Sequence, residues 1–193
     1  TLNRKRSWFV RLPLKNMVAA DQVKIVGKKQ VQSVTIKLLT MGGTIDKDYF
    51  DSLSEYKVVE SVLADEIARI GIAEKFDVEP ICYKDSLEIT AEARENLKSA
   101  IEACPHKNIL VSHGTDTMVE TATFLEGITG KTIVLFGAMR PLRFKDTDGL
   151  FNAAFAIGAL KSSKQGVYVA MSCQLFSPDQ VVKNRAESRF ELK

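Results

Sequence analysis

Five short apolar runs, at residues 34–40, 78–83, 108–112, 132–136 and 166–171, alternate with segments of helical periodicity at 58–70, 91–103, 117–127 and 149–162. This alternation constrains the fold more than any other property of the chain. A run such as Ile109-Leu110-Val111 has no polar side, so the strand it forms must be covered on both faces. Strands and helices in turn then predict an α/β fold: a doubly wound, mostly parallel sheet with helices on both faces, in a single domain. At 193 residues and 45% hydrophobic composition the chain can bury such a core. No apolar run approaches the roughly 18 residues that cross a bilayer, so no membrane partner is expected.

The net charge of +3 is unevenly placed. Residues 1–33 carry eight basic groups against one acid, Asp21, a local net of +7 that leaves −4 for the remainder. We read 1–33 as a basic N-terminal extension, either a targeting peptide or an appendage of the core, and 34–193 as the domain proper. An acidic domain without interleaved basic and aromatic residues gives no case for nucleic acid. Cys82, Cys104 and Cys173 are widely spaced and lack histidine partners, so neither a metal site nor a disulfide framework is expected. Three such thiols fit a reducing compartment, and a cytoplasmic location is expected.

Chemistry concentrates at two strand ends. His113-Gly114-Thr115-Asp116-Thr117-Met118 follows the strand at 108–112 and opens a helix. Ligands of open α/β sheets bind at the carboxyl ends of the strands, so the Thr115 hydroxyl and the Asp116 carboxylate lie where a site belongs. The plainer alternative is that one of them caps the helix. The strand at 34–40 runs into Met41-Gly42-Gly43-Thr44-Ile45-Asp46, where paired glycines permit a tight turn and leave the Thr44 hydroxyl outward. Those glycines could instead cradle an anion in a binding module, although GGTID matches neither the G-x-G-x-x-G nor the Walker pattern. A Ser-His-Asp hydrolase is poorly supported, because His106 and His113 are the only histidines and G-x-S-x-G is absent. His113 is expected to be structural and His106 to lie at the surface.

These two runs, MGGTI at 41–45 and HGTDTM at 113–118, resemble the signatures of the bacterial-type L-asparaginases and glutaminases. Gly137-Ala138-Met139-Arg140-Pro141, with Asp148-Gly149 and Asn152 beyond it, is similar to a third pattern of that family. The resemblance covers roughly residues 34–193, the family's N-terminal catalytic domain. It implies hydrolysis of the side-chain amide of L-asparagine to L-aspartate and ammonia without a cofactor. Thr44 would be the nucleophile that forms an acyl-enzyme, Thr115 the second catalytic threonine, and Asp116 the holder of the substrate's α-amino group. A threonine hydroxyl needs a base, and the resemblance assigns that role to Lys183, after the last expected strand. It further makes Gly114 part of the substrate loop, Ser86 the hydroxyl that contacts the substrate carboxylate, Ala138 a backbone acceptor for the amide, and Tyr56 a mobile-loop tyrosine. For Ser86 the alternative is a cap on the helix near Thr90, and for Tyr56 an amphipathic ring at a helix start.

The segment Asp46–Lys57, rich in Asp, Ser and Tyr, is expected to be a flexible loop over the site. Three positions depart from the family pattern: Met41 for a threonine, Asp46 for a small residue, and Leu87 for a polar one. In longer family members a second domain from a neighbouring subunit borders the substrate, and from this a homo-oligomer is expected. Glutamine as the substrate, an amidotransferase-type amidase and a catalytically inactive amino-acid-binding protein are the alternatives, because one methylene in a pocket is worth only about 1–3 kcal/mol.

Overall fold

Successive side chains of a strand point to opposite faces of the sheet, and the two hydrophobic clusters of the protein follow that alternation. The computed structural model describes residues 35–51, 54–72 and 74–193, and the extension expected at 1–33 lies outside them. The chain runs β1 (Thr35–Gly42), β2 (Lys47–Phe50), β3 (Glu55–Val58), α1 (Leu63–Ile70), β4 (Lys75–Lys84), α2 (Ala91–Ala103), β5 (Asn108–Ser112), α3 (Met118–Phe124), β6 (Thr132–Phe136), α4 (Gly149–Ser162), β7 (Gly166–Met171), β8 (Gln174–Phe176), β9 (Val181–Asn184) and β10 (Arg189–Leu192). Leu39, Val111, Leu135 and Val169 pack with Leu97 and Ile101 of α2 and Met118 and Ala122 of α3. Their neighbours Leu38, Leu110, Val134 and Ala170 pack with Leu63 and Ile67 of α1 and Ala156 and Leu160 of α4. Both faces are thus covered, as the unbroken apolar strands require.

The six-stranded sheet has the order β4-β1-β5-β6-β7-β8, with only β8 antiparallel to its neighbour. Among the five parallel strands the second in sequence lies outside the first, so the winding reverses between β1 and β5. Such a switch point opens a crevice at the carboxyl ends of the strands. Register sharpens it: Thr40 of β1 stands opposite Ser112 of β5, which stands opposite Phe136 of β6. β5 and β6 end level, β1 runs two residues further to Gly42, and the loops that follow meet above them.

The helix expected over 58–70 begins only at Leu63, because Lys47 to Phe50 and Glu55 to Val58 pair as an antiparallel hairpin. The expected open loop at 46–57 is therefore largely β-structure. Beyond β7 the chain adds β8 and the β9–β10 hairpin, which were not anticipated. Val181 and Phe190 bury in the core and fix that hairpin. Among the described residues no helix is long and apolar enough to cross a membrane.

Two buried ionisable groups oppose each other in their pH dependence. Asp46 is 1% exposed, and its Oδ1 has no hydrogen-bond partner among the described residues. Burial pushes its carboxyl up to about 6, against a hydrogen bond from Ser61 and the charge of Arg143. The folded state then retains a proton that the unfolded chain has released, so this contribution to stability is full below pH 3.8 and is lost as pH rises through 6. Burial lowers His113 to about 4 despite its contact with the Gly114 carbonyl, so its contribution is present above pH 6.5 and lost as pH falls through 4.

Replacing Asp46 with Asn should raise the melting temperature at pH 8, where the carboxylate costs up to about 3 kcal/mol, or roughly 5–10 °C. At pH 4.5, between 3.8 and 6, the gain should fall to roughly a third, about 1 kcal/mol. Thermal melts of both proteins at the two pH values check this, and an equal gain at both would contradict it.

Candidate functional site

Above the switch point the β1 and β5 loops touch through glycine alone. Gly43 has a φ of 85°, and a Cβ placed on it would fall 2.2 Å from Gly114 Cα. A Cβ on Gly114 would in turn meet Ser86 Cβ at 2.6 Å and Oγ at 2.9 Å. Gly43, Gly114 and Ser86 therefore stack without room for a methyl group. The Gly43 amide also donates to the Lys84 carbonyl at 2.9 Å, which ties the end of β4 into the same junction. Thr44 follows Gly43 directly and opens a single 3-10 turn, Thr44–Asp46.

Neither Thr115 nor Asp116 caps α3. The N-cap is Thr117, which makes no side-chain capping bond and instead donates to the Ser86 carbonyl at 2.7 Å. Ser86 is not the cap of α2 either, since Thr90 accepts the Ala93 amide at 3.2 Å. The buried Ser86 hydroxyl accepts the Asp116 amide at 3.3 Å and so faces the Thr115-Asp116 loop. Freed from capping, Thr115 and Asp116 meet Lys183, whose Nζ donates to Thr115 Oγ1 at 2.7 Å and to Asp116 Oδ1 at 2.9 Å. Lys183 lies within β9 rather than after the last strand, and its side chain is only 14% exposed. Being two residues from the buried Val181, it projects from the same side of the strand. Arg185 adds a second cation, 3.5 Å from the same Asp116 oxygen.

His113 is buried, and its Nδ1 contacts the Gly114 carbonyl at 2.7 Å, so it shapes the loop from beneath, as expected of a structural histidine. His106 is half-buried, with Nε2 at 3.5 Å from Asp77. The third motif builds a scaffold. Asp148 accepts the Met139 and Arg140 amides at 3.0 Å, and Asn152 holds the Gly137 carbonyl at 3.0 Å and the Ser172 amide at 3.0 Å. These bonds fix the turn that carries the buried Ala138.

Two cavities open onto this arrangement. One of about 220 Å³ is lined by Thr44, Lys47, Tyr56, Pro141 and Phe144. The other, about 680 Å³, runs past Asp116, Asp85, Leu87, Tyr83 and Lys47, with Tyr56 shared between the two. Tyr56 sits on β3 rather than at a helix start, with its ring centroid 5.1 Å from Tyr49 and 6.0 Å from Phe144. Of the three departures noted in sequence, Met41 is core, Asp46 is buried, and Leu87 is 66% exposed beside the larger cavity. Sequence reading missed Lys47, Arg143 and Arg185, whose neighbours come from distant segments.

Known proteins resemble the chain in sequence and in fold. The chain is 34% identical over 172 residues to a probable periplasmic L-asparaginase of Haemophilus influenzae, covering 83% of this chain and 49% of that protein. It is 29% identical over 180 residues to a glutaminase-asparaginase of Pseudomonas fluorescens biotype A, covering 86% of this chain and 49% of that one. It thus spans about half the length of the curated relatives it matches. A solved structure described as a probable cytoplasmic L-asparaginase from Campylobacter jejuni superposes with a TM-score of 0.70 at 30% identity, over 82% of this chain and 51% of the other. The thermostable L-asparaginase of Thermococcus kodakarensis shares the fold, with a TM-score of 0.71 at 22% identity over 82% of this chain and 51% of that one. A family model for the N-terminal domain of asparaginases matches residues 35–192, and the chain belongs to that family.

Proposed function

We propose that the chain hydrolyses the side-chain amide of L-asparagine, giving L-aspartate and ammonia through an ester on Thr44. The observation that carries this reading is the contact of Lys183 with both Thr115 and Asp116 beside the loop that bears Thr44. The Thr44 hydroxyl attacks the amide carbonyl carbon, Lys183 and Thr115 take up and relay its proton, and that proton leaves with ammonia as the C–N bond breaks. Water then cleaves the ester and restores the hydroxyl. Asp116 receives the α-ammonium group, Ser86 the α-carboxylate, and the Ala138 carbonyl the amide nitrogen, while Gly114 lets the loop approach the substrate. Tyr56, at the border of both cavities, assists proton transfer at Thr44. The chemistry asks for no metal or organic cofactor, because hydroxyl, amine and backbone donors suffice for acyl transfer.

The match to a glutaminase-asparaginase favours glutamine as a second substrate. We further propose action in the cytoplasm, supported by three free cysteines and the Campylobacter neighbour's description. Assembly into a homo-oligomer belongs to the same reading. The outer strand β4 carries exposed Val78 and Tyr83, and open sheet edges are commonly covered by association.

Ammonia release from L-asparagine and L-glutamine tests the reading. Thr44→Ala should lower kcat by roughly 10³-fold or more with little change in melting temperature, since a half-buried hydroxyl contributes little packing. Lys183→Met should lose at least about 10²-fold through removal of the proton acceptor. Substantial activity left in Thr44→Ala would overturn the assignment. Tyr56→Phe should lower kcat more than it raises KM, and unchanged kinetics would remove Tyr56 from the mechanism. Light scattering should show at least a dimer, and a fully active monomer would contradict the proposed assembly.

A further inference from the structure

Among the described residues the β2–β3 hairpin is a sheet of its own, hydrogen-bonded strand to strand only within itself. Tyr49, Phe50 and Tyr56 are exposed on it, so hydrophobic burial does little to hold it down. Isolated two-stranded hairpins are marginal in water, and something else must fix this one across the crevice. One backbone bond, from the Val59 amide to the Asp46 carbonyl at 2.9 Å, secures its base.

Two further anchors are charged and come from consecutive residues. Lys47 Nζ lies 2.5 Å from Asp85 Oδ2 in the loop that follows β4. Asp48 Oδ2 lies 3.2 Å from Arg143 Nε in the loop that follows β6, and Arg143 also donates to the Glu60 carbonyl at 3.2 Å. Neighbouring residues of a strand point to opposite faces, so the two pairs reach opposite banks of the crevice. The Lys47 and Asp85 side chains are 25% and 32% exposed, which shields the pair more than an open surface pair. Both banks are themselves rigid. Asp85 caps the Ser86–Glu88 turn, and Asp148 pins the turn at 139–140. Burial pushes the Asp85 carboxyl up, but the Lys47 ammonium and the Leu87 amide outweigh it and hold the group below its usual range. Tyr56, paired across the hairpin with Tyr49, rests on Phe144, the residue next to Arg143.

We propose that Lys47 and Asp48 are positioning residues, whose ion pairs to Asp85 and Arg143 latch the β2–β3 hairpin to both banks and hold Tyr56 at the border of the Thr44 and Asp116 cavities. The kinetic consequence rests on the proposed role of Tyr56, whereas the latch itself does not. Lys47 has a second reason to matter, since it is the other residue that lines both cavities.

Hydrogen exchange in strands 47–50 and 55–58 reads the latch directly, and asparagine kinetics read its effect. Lys47→Met and Asp85→Asn, which keeps the capping oxygen, should each speed exchange in both strands by roughly five- to tenfold. Their double variant should exchange no faster than either single one, and Lys47→Arg should stay near the wild-type rate. In ammonia release, Lys47→Met should lower kcat about as far as Tyr56→Phe with KM nearly unchanged, and adding Tyr56→Phe to it should cost nothing more. Unchanged exchange in Lys47→Met would overturn the latch. Losses of Lys47→Met and Tyr56→Phe that multiply would overturn the positioning of Tyr56. A wild-type chain that releases no ammonia, while exchange responds as expected, would refute the proposed function and leave the latch standing.

Discussion

The contact of Gly43 with Gly114 is the constraint on which the rest of the arrangement depends. The two loops leave neighbouring parallel strands on the same edge of the sheet, and they can meet only where neither carries a side chain. A single Cβ at Gly43 would overlap Gly114 Cα and also occupy a positive φ that other residues rarely adopt. With the glycines in contact, Thr44 and Thr115 stand one residue away on either side of the junction, and Ser86 closes it from the β4 bank. The parallel sheet supplies the crevice, but the glycines decide how near the two threonines approach.

Charge completes what the backbone begins. Lys183 reaches the β5 loop from a hairpin that is anchored by Phe190 and Val181, so a cation is held against Thr115 and Asp116 by apolar packing at its base. The opposite wall repeats the device: a weakly packed hairpin that carries Tyr56 is fastened by Lys47 and Asp48 to rigid loops. Beneath the site, buried His113 and Asp46 titrate in opposite senses. Acid therefore withdraws the support that a neutral His113 gives, and rising pH withdraws the support that a protonated Asp46 gives.

The sheet was legible in the sequence because strands such as 108–112 and 132–136 are buried on both faces and leave an unbroken apolar signature. The short hairpins were not. Residues 47–50 and 55–58 are polar and aromatic with no buried face, and 181–184 and 189–192 are charged four-residue strands, so neither pair shows a usable period. The strand-end hydroxyls at 44 and 115 followed from pattern and chemistry. Lys183 was reached only through family resemblance, as the base for Thr44, and its contact with Thr115, 68 residues away, was not foreseen, since one lysine among 27 basic residues carries no local mark. Burial of Asp46, two residues from Thr44, is set by the tertiary fold and was invisible.

In the proposed reaction Thr44 forms the bond to the substrate while Thr115, tied to Lys183, does not. Acid-quenching the protein during turnover of L-asparagine and mapping its peptides by mass spectrometry measures this directly. One aspartyl ester is expected, on the peptide and residue of Thr44, and it should accumulate when the water step is slowed. An ester on Thr115, or turnover with Thr44 never modified under conditions that trap the intermediate, would contradict it.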